Sequence, residues 1–280
     1  MIPVNFDYFA PASLPEALQL LADRGEDAKL LAGGHSLVPL MKLRLAQPAA
    51  LIDLGRIAEL KGISVQSGRL RIGATTTHAH VASSLEVIQN APALAQAAHE
   101  IGDRQVRARG TIGGSLAHND PAADLPAVML ALDAEITVRS AGGERTLKAE
   151  DFFVGMLETA LHPNELITSV SVAVSPQSSY VKFPNPASHY AITGVCASLQ
   201  GNGTVSSARI GVTGAAPMAF RATAAESALT GKALSEESIA AAAAAAYDGR
   251  ELLGDIHASA EYRGSLVRVM TRRALEKLLT

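Results

Sequence analysis

Apolar and polar positions along this chain follow two periods, 3.6 and 2, and the switches between them mark its elements. Leu18, Leu21 and Ala22 form one helical face. Ser13-Leu14-Pro15-Glu16 opens that helix as a capping box, with Ser13 accepting from a first-turn amide and Glu16 reaching back. Pro15 sits where its missing N–H does no harm, and Gly25 is a natural stop. Residues 28–32 then read as a buried strand that ends abruptly at Gly33-Gly34-His35-Ser36. Residues 37–45 read as a short helix broken by Pro39, and residues 50–54 as a second strand. The opening of the chain therefore predicts helix, strand, glycine loop, short helix, strand.

The middle changes character. Residues 63–65 and 69–72 alternate as an antiparallel hairpin around Gln66-Ser67-Gly68. Thr77 is placed to cap a short helix, and Pro92 starts another that runs to Glu100. Residues 107–124, rich in Gly, Asn, Asp and Pro, carry a second glycine loop. Asp124 is a good N-cap for a helix over 125–132. A hairpin follows at 135–139 and 145–148, around Ala141-Gly142-Gly143, and residues 165–174 form a long alternating strand. The polar segment Ser175-Pro176-Gln177-Ser178-Ser179 is a boundary candidate. Beyond it, residues 191–199 and 205–212 pair around Gly201-Asn202-Gly203. Helices are expected over 222–230, 235–247 and 260–279, with Arg221, Arg268, Arg272, Arg273 and Lys277 on exposed faces.

Composition narrows the function classes. A chain of 280 residues is long enough for a substantial core. Its formal charge of −3 leaves no electrostatic footprint for nucleic acid. The single cysteine excludes a disulfide framework, a CxxC zinc site or an iron–sulfur cluster ligated by this chain alone. The start has no basic segment before an apolar run, and no uncharged apolar run reaches the roughly 20 residues needed to span a bilayer. A soluble cytoplasmic protein is the expectation.

Two glycine pairs carry the candidate chemistry. Gly33-Gly34 and Gly113-Gly114 each follow a short apolar run and precede a hydroxyl residue, Ser36 and Ser115. Glycine lets a backbone turn into positive φ and approach a ligand closely, and successive N–H groups then form an anion-binding nest. That is what a diphosphate needs. Either loop alone is equally well read as a tight turn between core elements. GxGxxG and GxxxxGK[ST] are both absent, which disfavours a Rossmann or P-loop site.

Ala32-Gly33-Gly34-His35-Ser36, followed by Leu37-Val38-Pro39-Leu40-Met41-Lys42, resembles the first FAD-binding signature of the medium subunit of molybdenum hydroxylases. Arg109-Gly110-Thr111-Ile112-Gly113-Gly114-Ser115, running on to Asp124, resembles the second. The resemblance, to the aerobic carbon monoxide dehydrogenase and xanthine dehydrogenase family, covers essentially the whole chain, including Lys182-Phe183-Pro184-Asn185-Pro186-Ala187-Ser188. It implies an α+β architecture. A two-subdomain FAD-binding fold of the vanillyl-alcohol oxidase/p-cresol methylhydroxylase type would occupy residues 1–175, with subdomains of about 1–57 and 58–175. A C-terminal domain over 176–280 would combine a small antiparallel sheet with a three-helix bundle.

The resemblance also implies site residues. Ala32, Gly33, Gly34, His35, Ser36 and Leu37 would hold the FAD pyrophosphate, and Thr111, Ile112, Gly113, Gly114 and Ser115 would face the diphosphate and ribityl chain. Asp124 would bond flavin-side hydroxyls, and Lys182 would lie near the isoalloxazine edge. The partners would be a large molybdopterin-binding subunit and a small subunit with two 2Fe–2S clusters, in a dimer of heterotrimers. Electrons would pass through the flavin to a quinone, NAD or O2. The alternative is a self-contained FAD-dependent oxidoreductase with its own substrate pocket.

No catalytic acid–base residue and no metal ligand is assigned. The rings of His78 and His80, two positions apart on a helix, diverge by about 200°. Cys196, on an alternating strand, reads as a buried inert thiol. Asp124 as a helix cap, Lys182 as a solvated strand residue and Tyr190 as a core residue remain open beside the flavin roles.

Overall fold

The computed structural model describes residues 2–279. Its first unit is a three-stranded parallel sheet of β1 (Asp7–Phe9), β2 (Ala28–Leu31) and β3 (Ala50–Asp53), in the order β1-β3-β2. Two crossovers join these strands, α1 (Leu14–Arg24) and α2 (Leu37–Lys42). Helix α1 buries Leu14, Ala17, Leu18 and Leu21, at spacings of three and four, against Ile52, Leu54 and Ile57. Ser13 caps it by accepting from the Glu16 amide, whereas the Glu16 carboxylate accepts from Ala12 N–H at 2.9 Å rather than from Ser13. Pro39 does not break α2. It lies in the first turn, where no intrahelical N–H is required.

The second unit begins with the hairpin β4 (Ile63–Gln66) and β5 (Arg69–Gly73). Six short helices follow: α3 (His78–Ser83), α4 (Leu85–Asn90), α5 (Pro92–Glu100), α6 (Arg104–Arg109), α7 (Ile112–His118) and α8 (Leu125–Ala131). The hairpin β6 (Glu135–Ser140) and β7 (Gly143–Lys148) leads through α9 (Ala149–Phe152) to β8 (Phe153–Gly155), β9 (Glu158–Thr159) and β10 (Leu166–Ala173). Strand β10 enters the middle of an antiparallel sheet, order β4-β5-β10-β6-β7.

Two expectations are corrected here. The stretch 107–124 is not an open loop, because Asp103 caps α6 and Thr111 caps α7. Gly113 and Gly114 fall in the first turn of α7. Asp124 stands before α8 but makes no side-chain cap bond. Its carboxylate is engaged elsewhere.

The third unit is the antiparallel sheet β11 (Ser178–Pro184), β12 (Ala191–Asn202), β13 (Thr204–Thr213) and β14 (Phe220–Arg221), in that order. It packs with α10 (Thr223–Leu229), α11 (Glu236–Ala244) and α12 (Ala260–Glu276). Ala191 through Leu199 of β12 are all buried. Val195, Ala197 and Leu199 join the helix-side core, while Cys196 joins the core of the second unit, so one strand serves two layers. Helix α8 lies directly on β13: a Cβ at Gly211 would fall 2.8 Å from the Ala127 carbonyl carbon.

Arg221 is not a free surface cation. It pairs with Glu226 and with Glu150. Arg263, which the helical pattern does not single out, is buried on α12 and donates to the carbonyls of Ile192 and Gly214 at 2.6 and 2.5 Å. Among the described residues, no helix is long and apolar enough to cross a membrane.

Candidate functional site

Strand β2 stops at Leu31 because the chain must turn before α2 can start. Gly34 makes that turn at φ +77°, and its carbonyl accepts from Val38 N–H at 3.0 Å. Among the described residues, the consecutive amides of Gly33, Gly34, His35, Ser36 and Leu37 have no protein acceptor. Ser36 stands at the N-cap of α2 without making a side-chain cap bond. The first turn is thus a row of unspent donors.

The second turn is built differently. Its amides are engaged within the protein: Ile112 donates to Thr76 O at 3.0 Å, Gly113 to Ala74 O at 2.8 Å and Ser115 to Thr111 O at 3.0 Å. Gly114 donates to Thr111 Oγ1 at 3.2 Å. A Cβ at Gly113 would lie 2.7 Å from Ala74 Cβ, so this glycine serves close packing of α7 on the turn that follows β5. The second turn's amides are therefore spent within the protein, against the expectation that amides from both turns grip one diphosphate, while among the described residues those of the first turn remain free. The second can offer the Ser115 hydroxyl and a smooth wall.

The two turns meet. A Cβ at Gly33 would lie 2.7 Å from Gly110 Cα, immediately before α7. Between and beyond them opens a cavity of about 550 Å³, within the range of cofactor sites. Ala32, Gly33, Gly34, His35, Ser36 and Leu37 form one wall; Thr111, Gly113, Gly114 and Ser115 form another. Asp124 and the segment Ser188 to Tyr190 close the far side. Ile112 is not on the wall: it is fully buried in the core of the second unit.

Lys182 is a second correction. It lines not this cavity but a separate one of about 450 Å³ between α5, β11 and α12. Its side chain is 1% exposed. Its ammonium donates to Glu100 O at 2.7 Å, to His189 O at 2.8 Å and to the Asp124 carboxylate, 3.0 Å away. A buried ammonium has three protons to place, and these acceptors take them, so Lys182 is neither solvated nor free to face a ligand. Asp124 also accepts from Tyr180 Oη at 2.5 Å. Burial pushes the Asp124 carboxyl up, with Lys182 pulling against it. Tyr180 is pushed well up by burial and by Asp124.

Sequence reasoning missed several wall residues. Thr75, whose hydroxyl donates to Leu60 O at 2.9 Å, and Gly102 both reach the cavity. His78, weighed above only as a metal ligand, is a buried part of the wall, held neutral with its pKa pulled down to about 4 by burial and by nearby His35 and Arg107. No local signal distinguishes it, because its neighbours arrive from distant segments. Among the described residues, no cluster of three or more His, Cys, Asp or Glu side chains could hold a metal. Burial raises the Cys196 thiol beyond the reach of neutral pH.

Residues 4–174 match the family described as FAD binding domain in molybdopterin dehydrogenase, and residues 178–278 the CO dehydrogenase flavoprotein C-terminal domain. The chain is 43% identical to the 6-hydroxypseudooxynicotine dehydrogenase complex subunit alpha of Paenarthrobacter nicotinovorans, over 100% of this chain and 96% of that protein. It is also 43% identical to the carbon monoxide dehydrogenase medium chain of Hydrogenophaga pseudoflava, over 98% and 97% of the two chains. A solved structure of carbon monoxide dehydrogenase from Hydrogenophaga pseudoflava, lacking the Mo-pyranopterin moiety, superposes with a TM-score of 0.94 at 44% identity, covering 99% of this chain and 98% of that one.

Proposed function

This chain belongs to the family of FAD-binding subunits of molybdopterin dehydrogenases, and from that premise we propose that it is the flavoprotein subunit of a heterotrimeric molybdenum hydroxylase. It is an FAD-binding oxidoreductase component with the p-cresol methylhydroxylase type of fold. In the proposed assembly a large molybdopterin subunit acts on the substrate. A small subunit with 2Fe–2S clusters delivers electrons to this chain, and a quinone, NAD or O2 takes them away. Bound FAD supplies the junction between one-electron donors and a two-electron acceptor.

The observation that carries this reading is the run of unpartnered amides from Gly33 to Leu37 on the wall of the cavity. Such a row of N–H dipoles binds a diphosphate without a lysine or arginine in the loop. Ala32 to Leu37 would hold the diphosphate, and Thr111, Gly113, Gly114 and Ser115 would bound the opposite side. Asp124, fixed by Tyr180 and Lys182, would hold the far wall in place. None of these residues needs to move a proton. The protein's part is to bind, orient and shield.

The test is to purify the protein with the subunits that accompany it, record its flavin spectrum and assay molybdenum and iron. Flavin with both metals in the complex is expected. A flavin-free form of that complex should still let substrate bleach the iron–sulfur absorption but should lose turnover with the external acceptor. Undiminished turnover without flavin would rule out the relay.

A further inference from the structure

Resting on the reading of this cavity as the FAD site, we propose that His78 Nε2–H donates a hydrogen bond to an oxygen of the bound dinucleotide's diphosphate. The imidazole is placed by backbone contacts. His78 opens α3 behind its cap Thr77, and its own N–H donates to Gly110 O at 2.9 Å. A Cβ at Gly110 would lie 2.7 Å from His78 Cδ2 and 3.0 Å from Nε2. Gly110 in turn abuts Gly33. The ring, Gly110 and Gly33 are therefore stacked in series, and the ring lines the same cavity as the row of free amides.

The two ring nitrogens differ. Among the described residues Nδ1 is sealed in with no hydrogen-bond partner, while Nε2 is not sealed and belongs to a ring that forms cavity wall. A neutral imidazole carries one proton and must choose. On Nδ1 the proton would be a buried donor without an acceptor, which is costly. On Nε2 it points where a ligand oxygen can accept it. The residue would thus add a neutral donor to the amide row. Nothing in the packing of a purely structural residue requires a polar ring with one unsatisfied nitrogen here. A leucine or phenylalanine would fill the space without stranding a polar atom.

The protein, purified with its accompanying subunits and stripped of flavin, is titrated with FAD by fluorescence quenching as wild type, His78→Gln and His78→Phe. His78→Phe should bind FAD about tenfold or more weakly, and His78→Gln, which keeps a donor, should stay within a few-fold of wild type. His78→Phe binding as tightly as wild type would overturn the proposal. Because the phenylalanine variant could fail to fold, the tautomer is read independently in the wild-type full chain by long-range 15N–1H correlation of its histidines. The Nε2–H form is expected, and an Nδ1–H form would overturn the assignment. Wild-type protein that takes up no FAD would defeat the reading of the cavity itself, a result distinct from either of these.

Discussion

Gly33 and Gly110, far apart in sequence, touch through their backbones: a Cβ on Gly33 would stand 2.7 Å from Gly110 Cα. This contact closes the first glycine turn against the lead-in to α7. It gives the cavity two walls instead of one, and the absent side chain is what permits it.

Gly33→Ala is therefore expected to damage both stability and binding. The new methyl group meets backbone atoms of Arg109 and Gly110, which cannot swing aside as a side-chain tip could. Overpacking of this kind costs about 1–3 kcal/mol. For a chain of this size that corresponds to a melting temperature lower by roughly 2–12 °C. Gly142→Ala is the control, since its nearest neighbour is Ser140 Oγ at 3.6 Å. Thermal unfolding with and without FAD checks both variants. An unchanged melting temperature and FAD affinity in Gly33→Ala would refute the tight contact.

Gly34 is required for a different reason. Its φ of +77° suits glycine, and a Cβ there would also crowd Val38 Cγ2 and Leu31 Cδ1 at 3.2 and 3.3 Å. Gly34→Val should lose most bound flavin, because a β-branched residue resists this backbone. Gly34→Asn should keep more, since asparagine tolerates the left-handed region. Flavin absorbance per protein in the purified variants measures the order. Equal retention in the two would show that backbone conformation is not what Gly34 contributes.

These positions show what can be read from a linear pattern. The capping residues Ser13 and Thr77, the proline start at Pro92 and the hairpins are local signals, and the structure contains them. The first glycine turn was also legible, because the flanking strand and helix both announced themselves. Helix α7 was hidden: Gly113 and Gly114 read as loop, and the approach of Ala74 to Gly113 and of the capping Thr111 hydroxyl to Gly114 explains why glycines sit inside a helix. Lys182 was hidden more deeply. Its three acceptors come from Glu100, Asp124 and His189, on segments that only tertiary folding brings together. Gly110 carried no candidate role of its own, though both His78 and Gly33 rest on it.

Breaking the Asp124–Lys182 pair from one side should be severe. Lys182→Met leaves a buried carboxylate with Tyr180 as its remaining partner and frees the Glu100 and His189 carbonyls. Removing one partner of a buried pair costs about 3–5 kcal/mol. Asp124→Leu combined with Lys182→Met should cost less than the sum of the single changes, since neither charge is then stranded. Denaturant unfolding of the two singles and the double closes the cycle, and additive effects would disprove the coupling. The flavin content of Lys182→Met should also fall, because the anchor of the segment at His189 and Tyr190 is lost.

His78 links the site to pH. Its folded pKa is pulled from 6.5 down to about 4, so the unfolded chain binds the proton more tightly than the folded one. Stability from this group is then complete above about pH 6.5 and is lost as pH falls toward 4. A shift of that size corresponds to about 3 kcal/mol at most. His78→Gln removes the titration and should flatten the fall in stability between pH 6.5 and 4 relative to wild type, while the carboxylates that titrate over the same range remain common to both proteins. Denaturant midpoints at pH 7 and pH 4.5 provide the comparison. If wild type and His78→Gln lose the same stability over that interval, the imidazole is not held neutral in the folded protein.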